Sequence, residues 1–193
     1  NVTATDSGTG VNTVLVGNTT NQTMSSVGSN LYQLNTTPSN LGCSASNPTC
    51  LLRFYANDTA NNLNSTTTLT LNIQGCGQTL TSSTTLVGNL NASGTCFTVN
   101  ADNIVIDGNG YTITGNTNGS GINNTGTRTN ITVKNFAGIN NFTNGVSFTT
   151  VGNATIYNNT IVAANVSQGR GVNFPSGTSG NHNITLNSIN TSG

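Results

Sequence analysis

Apolar residues alternate in short groups along the second half of the chain, and these groups recur. In the first regular group, residues 101–115, Asn103 is followed by Ile-Val-Ile, a polar Asp-Gly-Asn-Gly break and a further Ile. The same order follows Asn130, Asn153 and Asn183, so the four anchor asparagines are 27, 23 and 30 residues apart. A repeat of this length with short strands and no helical period predicts a β-solenoid.

Each repeat is expected to form one coil that contributes about three short strands to parallel sheets, with Ile, Val and Leu stacked inside. Four apolar residues open successive coils: Phe97, Ile122, Val146 and Val172. An irregular first coil is expected over residues 74–96, with Leu86, Val87 and Leu90 pointing inward. Asn135 and Asn158 each follow an inward apolar residue by two places, which predicts a ladder of stacked amides at a bend.

The first 73 residues have a different pattern, in which short alternating runs are separated by turn signals. Residues 7–10, Ser-Gly-Thr-Gly, form a turn between the first two runs. Leu52, Phe54 and Ala56 are expected on one face of a strand, and Leu69, Leu71 and Ile73 on one face of another. This pattern predicts an antiparallel β-sandwich. Its predicted strands are Val2–Asp6, Val11–Gly17, Leu31–Leu34, Leu51–Ala56 and Thr66–Ile73.

Three segments of this region, residues 2–11, 54–62 and 69–73, resemble the Ig-like modules of prokaryotic surface proteins. Those modules carry A-x-D-x-x-G-V early and A-x-D-x-A-G-N before the last strand; Asn61 stands where the family usually has Gly. An Ig-type sandwich needs roughly 100 residues and seven strands. The resemblance therefore implies a module over residues 1–73 that lacks its first strand. The strand either precedes Asn1 or is donated by a neighbouring subunit.

Residues 76–80, Cys-Gly-Gln-Thr-Leu, and residues 103–115 resemble the start of right-handed parallel β-helices. Such helices occur in the pectate-lyase-like superfamily, in periplasmic copper-system proteins and in archaeal surface proteins. The implied fold class is all-β, with a partial Ig-like β-sandwich followed by a right-handed parallel β-helix over residues 74–193. A resemblance at the level of fold does not carry an activity with it.

The composition favours a glycosylated extracellular protein. Only 4% of the 193 residues are charged, against roughly a quarter in ordinary globular proteins. No basic patch points to nucleic acid, and no apolar run is long enough to span a membrane. Asn-x-Ser/Thr sequons number 16, against about 10 expected from composition alone, so some arise by chance from Asn/Thr-rich turns. We expect covalent N-linked glycans and no other cofactor.

The predicted acceptors are Asn1, Asn18, Asn21, Asn35, Asn57, Asn64, Asn91, Asn118, Asn123, Asn130, Asn141, Asn153, Asn158, Asn165, Asn183 and Asn190.

Four cysteines indicate an oxidising compartment. Of the three possible connectivities we predict Cys43–Cys50 and Cys76–Cys96, because each pair brackets a local loop. The spacings and the single histidine, His182, argue against a zinc site.

Ionisable residues are too few for the chemistry usual on a β-helix. Hydrolases need paired carboxylates, and lyases need an acidic calcium cluster with a basic proton acceptor. Residues 74–193 contain only Asp102 and Asp107, which read as structural turn residues, with a catalytic or calcium site as the alternative. Asp6 and Asp58 upstream read as turn-capping residues, with calcium binding at a module joint as the alternative. The cationic candidates are Arg128, Lys134 and Arg170, and His182 reads as a solvated loop residue. We predict no catalytic and no metal-binding residues.

These observations favour a structural subunit or repeat of a cell-surface filament or surface layer. Its partners would be copies of itself, assembled head to tail, with residues 1–6 and 185–193 at the junctions. Truncation of a longer protein would give the same appearance at both ends. A polysaccharide-binding module is the main alternative, and it would expose some of Tyr111, Phe136, Phe142, Phe148, Tyr157 and Phe174. A lyase or hydrolase fragment is the lesser alternative.

Overall fold

The computed structural model describes residues 1–43, 49–175 and 180–191, and the chain divides into two compact units, Asn1–Ile73 and Gln74–Gly193. Among the described residues, both units are built from β-strands, with one short 3-10 helix at Pro38–Leu41. Within the described ranges, no helix has the length and hydrophobicity needed to cross a membrane.

The first unit contains two antiparallel sheets. The three-stranded sheet has the order Val2–Thr3, Leu31–Gln33 and Ser25–Gly28. The larger sheet has the order Asn21–Thr23, Val11–Gly17 and Thr49–Asp58, with Leu63–Asn64 and Thr68–Asn72 both paired to the far side of Thr49–Asp58. Alternate side chains of the two long strands, including Val14, Val16 and Leu52, are buried together with Met24 and Leu41. The predicted Cys43–Cys50 disulfide is confirmed and lies in the same core.

The sequence-based strand assignment fails in part in this unit. The predicted strand Val2–Asp6 is only Val2–Thr3, and it pairs with Leu31–Gln33, while Val11–Gly17 pairs with Thr49–Asp58 in the other sheet. The shared face predicted for Leu69, Leu71 and Ile73 does not bury Leu69. Leu69 is opposite the buried Leu52 in the ladder, yet it is 52% exposed because its strand lies at the sheet edge.

The second unit is a parallel β-solenoid of about four turns, which confirms the predicted architecture. Three parallel sheets each contain five strands, and successive coils add one strand to each sheet. Sheet 1 contains Gln78–Leu80, Phe97–Val99, Ser120–Asn124, Asn144–Ser147 and Arg170–Asn173. Sheet 2 contains Thr84–Thr85, Val105–Asp107, Arg128–Lys134, Val151–Tyr157 and Asn183–Thr185. Sheet 3 contains Leu90–Asn91, Thr112–Thr114, Gly138–Asn140, Thr160–Ala163 and Ser188–Thr191.

Stacked apolar side chains fill the solenoid. The predicted coil-opening residues pair in register along sheet 1, from Phe97 to Ile122, Val146 and Val172. Inward side chains from the middle coils, such as Ile106, Ile139 and Ile156, are fully buried. Burial of each such side chain stabilises the fold by about 1.5–3 kcal/mol relative to exposure.

Glycines of sheet 1 make room for isoleucines of sheet 3 inside the solenoid. A Cβ atom on Gly145 would lie 2.2 Å from Cγ2 of Ile161 and 2.5 Å from the carbonyl oxygen of Gly171. Gly121 and Gly171 have the same relation to Ile139 and Ile189. These glycines are therefore required by packing in the interior.

The first coil is closed by local contacts. The predicted Cys76–Cys96 disulfide is confirmed. The Gln74 side-chain amide donates to the carbonyl oxygen of Thr85 (2.8 Å), and its oxygen accepts the N–H of Val87 (2.8 Å). Leu86 is buried, but the prediction that Val87 points inward is wrong, since it is 76% exposed. Neighbouring residues of an extended segment point to opposite sides, so only one of the two can face the core.

The last coil has a different register from the one the repeat predicts. Ile184 pairs with Ile156, so Asn181, not Asn183, is equivalent to the anchor Asn153. In this register Ile184 pairs with Ile156 and Ile189 with Ile161. The register places His182 at the position of Ala154 in the coil before, and it moves Leu186 to the bend that follows sheet 2.

Candidate functional site

Two rows of asparagine side chains run along the bends of the solenoid. The first row lies close to the start of the sheet 2 strands, just before Val105–Asp107 and at the third residue of Arg128–Lys134 and of Val151–Tyr157. Nδ2 of Asn130 donates to Oδ1 of Asn103 (2.9 Å), Nδ2 of Asn153 donates to Oδ1 of Asn130 (3.4 Å), and Oδ1 of Asn153 accepts the N–H of Asn181 (3.1 Å). Asn103, Asn130 and Asn153 all have φ near +58°. Asparagine tolerates this left-handed conformation better than most residues do.

The second row lies where the chain leaves sheet 2, and it confirms the predicted contact between Asn135 and Asn158. Nδ2 of Asn158 donates to Oδ1 of Asn135 (2.9 Å), and Nδ2 of Asn135 donates to Oδ1 of Asp107 (3.1 Å). We call Asp107, Asn135 and Asn158 the exit ladder. The ladder ends at the next coil, where Leu186 occupies the equivalent bend with φ of +54°.

Asp107 and Lys134 form the one ion pair among the described residues, with Nζ 3.2 Å from Oδ2. Partial burial acts to raise the pKa of Asp107. Hydrogen bonds from the Asn109 N–H, the Asn135 amide and Lys134 outweigh it and lower that pKa below its ordinary value. The hydrogen bond to Asp107, followed by the charge of its carboxylate, raises the pKa of Lys134. The carboxylate is therefore ionised and occupied by structural donors.

The other carboxylates also accept hydrogen bonds, Asp6 and Asp58 within their own turns and Asp102 from the next coil. Oδ2 of Asp6 accepts the N–H groups of Gly8 (3.1 Å) and Gly10 (2.5 Å), and Oδ1 of Asp102 accepts that of Thr129 (2.9 Å). At Asp58 the side-chain amide and then the backbone N–H of Asn62 lower the pKa. Over the described ranges, no three His, Cys, Asp or Glu residues lie close enough together to hold a metal ion.

The cationic side chains are distributed singly. A guanidinium nitrogen of Arg128 donates to Oδ1 of Asn100, and Nη1 of Arg170 donates to Oδ1 of Asn173 (3.3 Å). The expectation that His182 is a solvated loop residue is wrong. Its Nδ1 accepts the N–H of Ala154 (3.1 Å) and its ring stacks on Phe174 with a centroid distance of 4.5 Å. His182 therefore joins the last coil to the coil before it.

None of the six candidate aromatic side chains of the solenoid is fully exposed to a sugar. Phe136, Phe142 and Phe148 are buried, and Tyr111, Tyr157 and Phe174 are half-buried. No row of exposed rings is present on the described faces.

The sequon asparagines lie mostly at the surface of both units. Thirteen of the 16 are exposed, and the half-buried ones are Asn57, Asn123 and Asn141. In the half-buried set, Oδ1 of Asn57 and Oδ1 of Asn123 are enclosed, and Nδ2 of Asn141 donates to the carbonyl oxygen of Gly115 (3.0 Å). Exposure thus separates the acceptors into two groups that the sequence motif alone does not distinguish.

A groove with a volume of about 510 Å³ runs beside the exit ladder and crosses four coils. Asn135 and Asn158 lie along it together with Ala137, Thr160 and Leu186. Its lining is polar apart from the alanine, the leucine and the buried ring of Phe136. We call this feature the ladder groove.

Comparisons with protein families, with curated proteins and with solved structures found no match to the chain.

Proposed function

We propose that the chain is an N-glycosylated, non-catalytic structural protein of the cell surface, and that it serves as a subunit or repeat of a filament or surface layer. The observation that carries this proposal is the exposure of 13 sequon asparagines on a chain with only eight charged residues. A surface with so little charge needs another source of hydration, and N-linked glycans supply it. Two disulfides are consistent with an oxidising, extracellular environment.

The way the carboxylates are used supports a non-catalytic role. Each of Asp102 and Asp107 has its own donors, and the two do not form one hydrogen-bonded group. Acid–base hydrolysis of a glycoside needs two carboxyl groups that face the same bond. The described residues also offer no acidic cluster for the calcium ion of a lyase.

We infer that the solenoid is a right-handed parallel β-helix of the pectate-lyase-like type and that the first unit is an Ig-like module. The Cys-Gly-x-Thr-Leu start of the solenoid supports the first inference. Two facing antiparallel sheets and the A-x-D motifs support the second. Both inferences concern the similarity of these folds to known families. They assign no activity, because fold and activity are separate properties.

Self-association through a donated strand fits the first unit. A groove with a volume of about 370 Å³ lies beside the edge strand Val2–Thr3, and its lining includes Val11, Phe54 and Leu63. An extended segment of another copy, paired to this edge, would cover these apolar side chains by β-strand addition. Head-to-tail copies joined in this way would form an open filament.

Polysaccharide binding is the second candidate, and the ladder groove is the observation that favours it. The lack of a row of exposed aromatic rings on the described faces weighs against it, because sugar-binding surfaces usually present such rings for stacking. An enzyme fragment acting on uronic-acid polymers is the least supported alternative.

Electron microscopy and analytical ultracentrifugation of the chain, made in a glycosylating host, test the proposal. We expect concentration-dependent filaments or oligomers from glycosylated protein and no cleavage of uronic-acid polymers. A chain that is monomeric at high concentration and binds a polysaccharide would favour the second candidate instead.

A further inference from the structure

We propose that the ladder groove is filled by the chain's own glycan, attached at Asn158. This inference rests on the proposed N-glycosylation and assigns one acceptor a structural place. Asn158 and Thr160 are the first and third residues of one sequon, both are exposed, and both line the ladder groove.

The exit ladder holds the acceptor amide in place and leaves it free to react. Nδ2 of Asn158 carries two hydrogens, of which one is donated to Oδ1 of Asn135 (2.9 Å). The other remains available. The N–H of Asn158 donates to the carbonyl oxygen of Thr185 (3.2 Å), so the backbone of this bend is held between two coils. A sugar on this nitrogen starts beside the groove and keeps the ladder hydrogen bond.

The attachment step is ordinary transfer from an activated donor. Nδ2 forms a bond to C1 of the first sugar, and the bond between C1 and the phosphate oxygen of a lipid-linked oligosaccharide breaks. The phosphate leaves with the electron pair, and Nδ2 loses the hydrogen that does not take part in the ladder as a proton. No oxidant, reductant or metal redox change is involved.

The exposed apolar side chain of Leu186 would be stabilised if a bound group covered this part of the groove. It takes the bend that follows Asn158 along the axis, has φ of +54° and is 83% exposed. Ala137 is exposed on the preceding coil and lines the same groove. The C–H faces of a sugar ring can pack on these apolar groups while its hydroxyls remain in water, which removes apolar surface from solvent. A glycan linked at Asn158 would start next to this surface, because Asn158 itself lines the groove.

The substitution Thr160→Ala tests the assignment because it removes the sequon and leaves the Asn158 amide in the ladder. The backbone pairing of residue 160 with Ser188 and its N–H bond to Phe136 are also unchanged. Ser93→Ala is the matched control: it removes the exposed sequon at Asn91, which lies outside both grooves. All variants are made as the full chain in one N-glycosylating host.

We expect glycopeptide mass spectrometry to find Asn158 occupied in the parent chain and both substitutions to remove one glycan each. Thr160→Ala should raise the fluorescence of an apolar dye severalfold and lower the Tm by about 2–4 °C, while Ser93→Ala changes neither. Adding Leu186→Ser to Thr160→Ala should return the dye signal to the parent level.

An empty Asn158 in a chain that is glycosylated at Asn91 and elsewhere would overturn this assignment and leave the proposed function intact. Equal behaviour of the two single variants would overturn it as well, because the glycan would then lie outside the groove. Dimerisation of the parent chain through the groove, with Asn158 unmodified, would assign the groove to a second copy of the chain and overturn the proposal. A chain with no glycan at any sequon would refute the proposed function itself.

Discussion

The solenoid and the antiparallel unit use the same few residue types, yet their cores differ in depth. In the solenoid, side chains such as Phe97, Ile113 and Phe142 have no exposed surface at all. In the antiparallel unit, Phe54 is only half-buried and Leu69 is more than half exposed. The difference follows from geometry, because each inner coil is closed by a coil on either side, whereas each antiparallel sheet has free edges beside the core.

This contrast indicates which interactions stabilise each unit. The solenoid uses the same interactions in successive coils: a stack of apolar side chains in the interior and hydrogen-bonded asparagines at the bends. The antiparallel unit depends on a few long-range pairings and on the Cys43–Cys50 disulfide. Substitutions at equivalent kinds of position should therefore have unequal effects in the two units.

The largest effect is expected from truncating an interior ring. Phe142→Ala should lower the free energy of unfolding of the solenoid by about 3–5 kcal/mol, because its neighbours in adjacent coils cannot close the cavity. Phe54→Ala in the antiparallel unit should cost clearly less, since part of that ring already contacts water. Hydrogen–deuterium exchange with mass spectrometry reports each unit separately. Equal costs would contradict the difference in core depth.

The next effect concerns the glycines inside the solenoid. Gly145→Ala should lower the free energy of unfolding by about 1–3 kcal/mol or more, because its Cβ would collide with Ile161 and with the Gly171 backbone. Gly88→Ala is the control, as a Cβ there meets no atom within 4 Å, and it should change stability by no more than about 0.5 kcal/mol. A tolerated Gly145→Ala, measured by denaturant unfolding, would show that the interior is looser than described.

The exit ladder should contribute less than the interior. Asn135→Ala removes two amide hydrogen bonds and puts alanine at φ of +58°, with an expected cost of about 2–3 kcal/mol. Asn135→Gly removes the same bonds without the backbone cost, so about 1 kcal/mol less destabilisation is expected. If the two variants unfold at the same denaturant concentration, the left-handed backbone contributes nothing to the preference for asparagine at this bend.

The smallest effect is the pH dependence of the ion pair at Asp107. Because its pKa is lowered in the folded chain, the stabilisation is fully present above the ordinary carboxyl pKa of about 3.9 and is lost as pH falls below it. The pKa of Lys134 is raised in the folded chain, so the stabilisation from this side chain is present at neutral and acid pH. It is lost only when the pH rises into the strongly alkaline range. Between pH 6 and pH 2, the Tm of Asp107→Asn should fall less steeply than the Tm of the parent chain. An unchanged slope would mean that the carboxylate is not stabilised by folding.

The regular part of the fold could be predicted from the sequence because local pattern and long-range packing agree there. Phe97, Ile122 and Val146 stack as their periodicity predicts, and Asn135 contacts Asn158. The last coil could not be predicted, because Asn183-Ile-Thr-Leu matches the anchor pattern locally, and both possible registers place an apolar side chain, Ile184 or Leu186, on Ile156. The structure pairs Ile184 with Ile156.

The antiparallel unit was less predictable for a related reason. The strands Asn21–Thr23 and Ser25–Gly28 have mostly exposed side chains, so they carry little alternation that a sequence pattern could detect. Their partners lie close in the chain, since Asn21–Thr23 pairs with the end of Val11–Gly17 and Ser25–Gly28 pairs with Leu31–Gln33. The ladder groove was also invisible in the sequence, because its lining comes from four coils. One end of the groove is apolar because Leu186 occupies the bend at which an asparagine would continue the exit ladder.

Site-resolved mass spectrometry of the intact chain from a glycosylating host tests the central claim most directly. We predict a mass well above the 19.7 kDa of the polypeptide, with glycans at exposed sequons such as Asn91 and Asn158. The half-buried Asn57, Asn123 and Asn141 should remain unmodified. A mass of 19.7 kDa with every sequon unmodified would contradict the account of this protein as a glycan-covered structural surface.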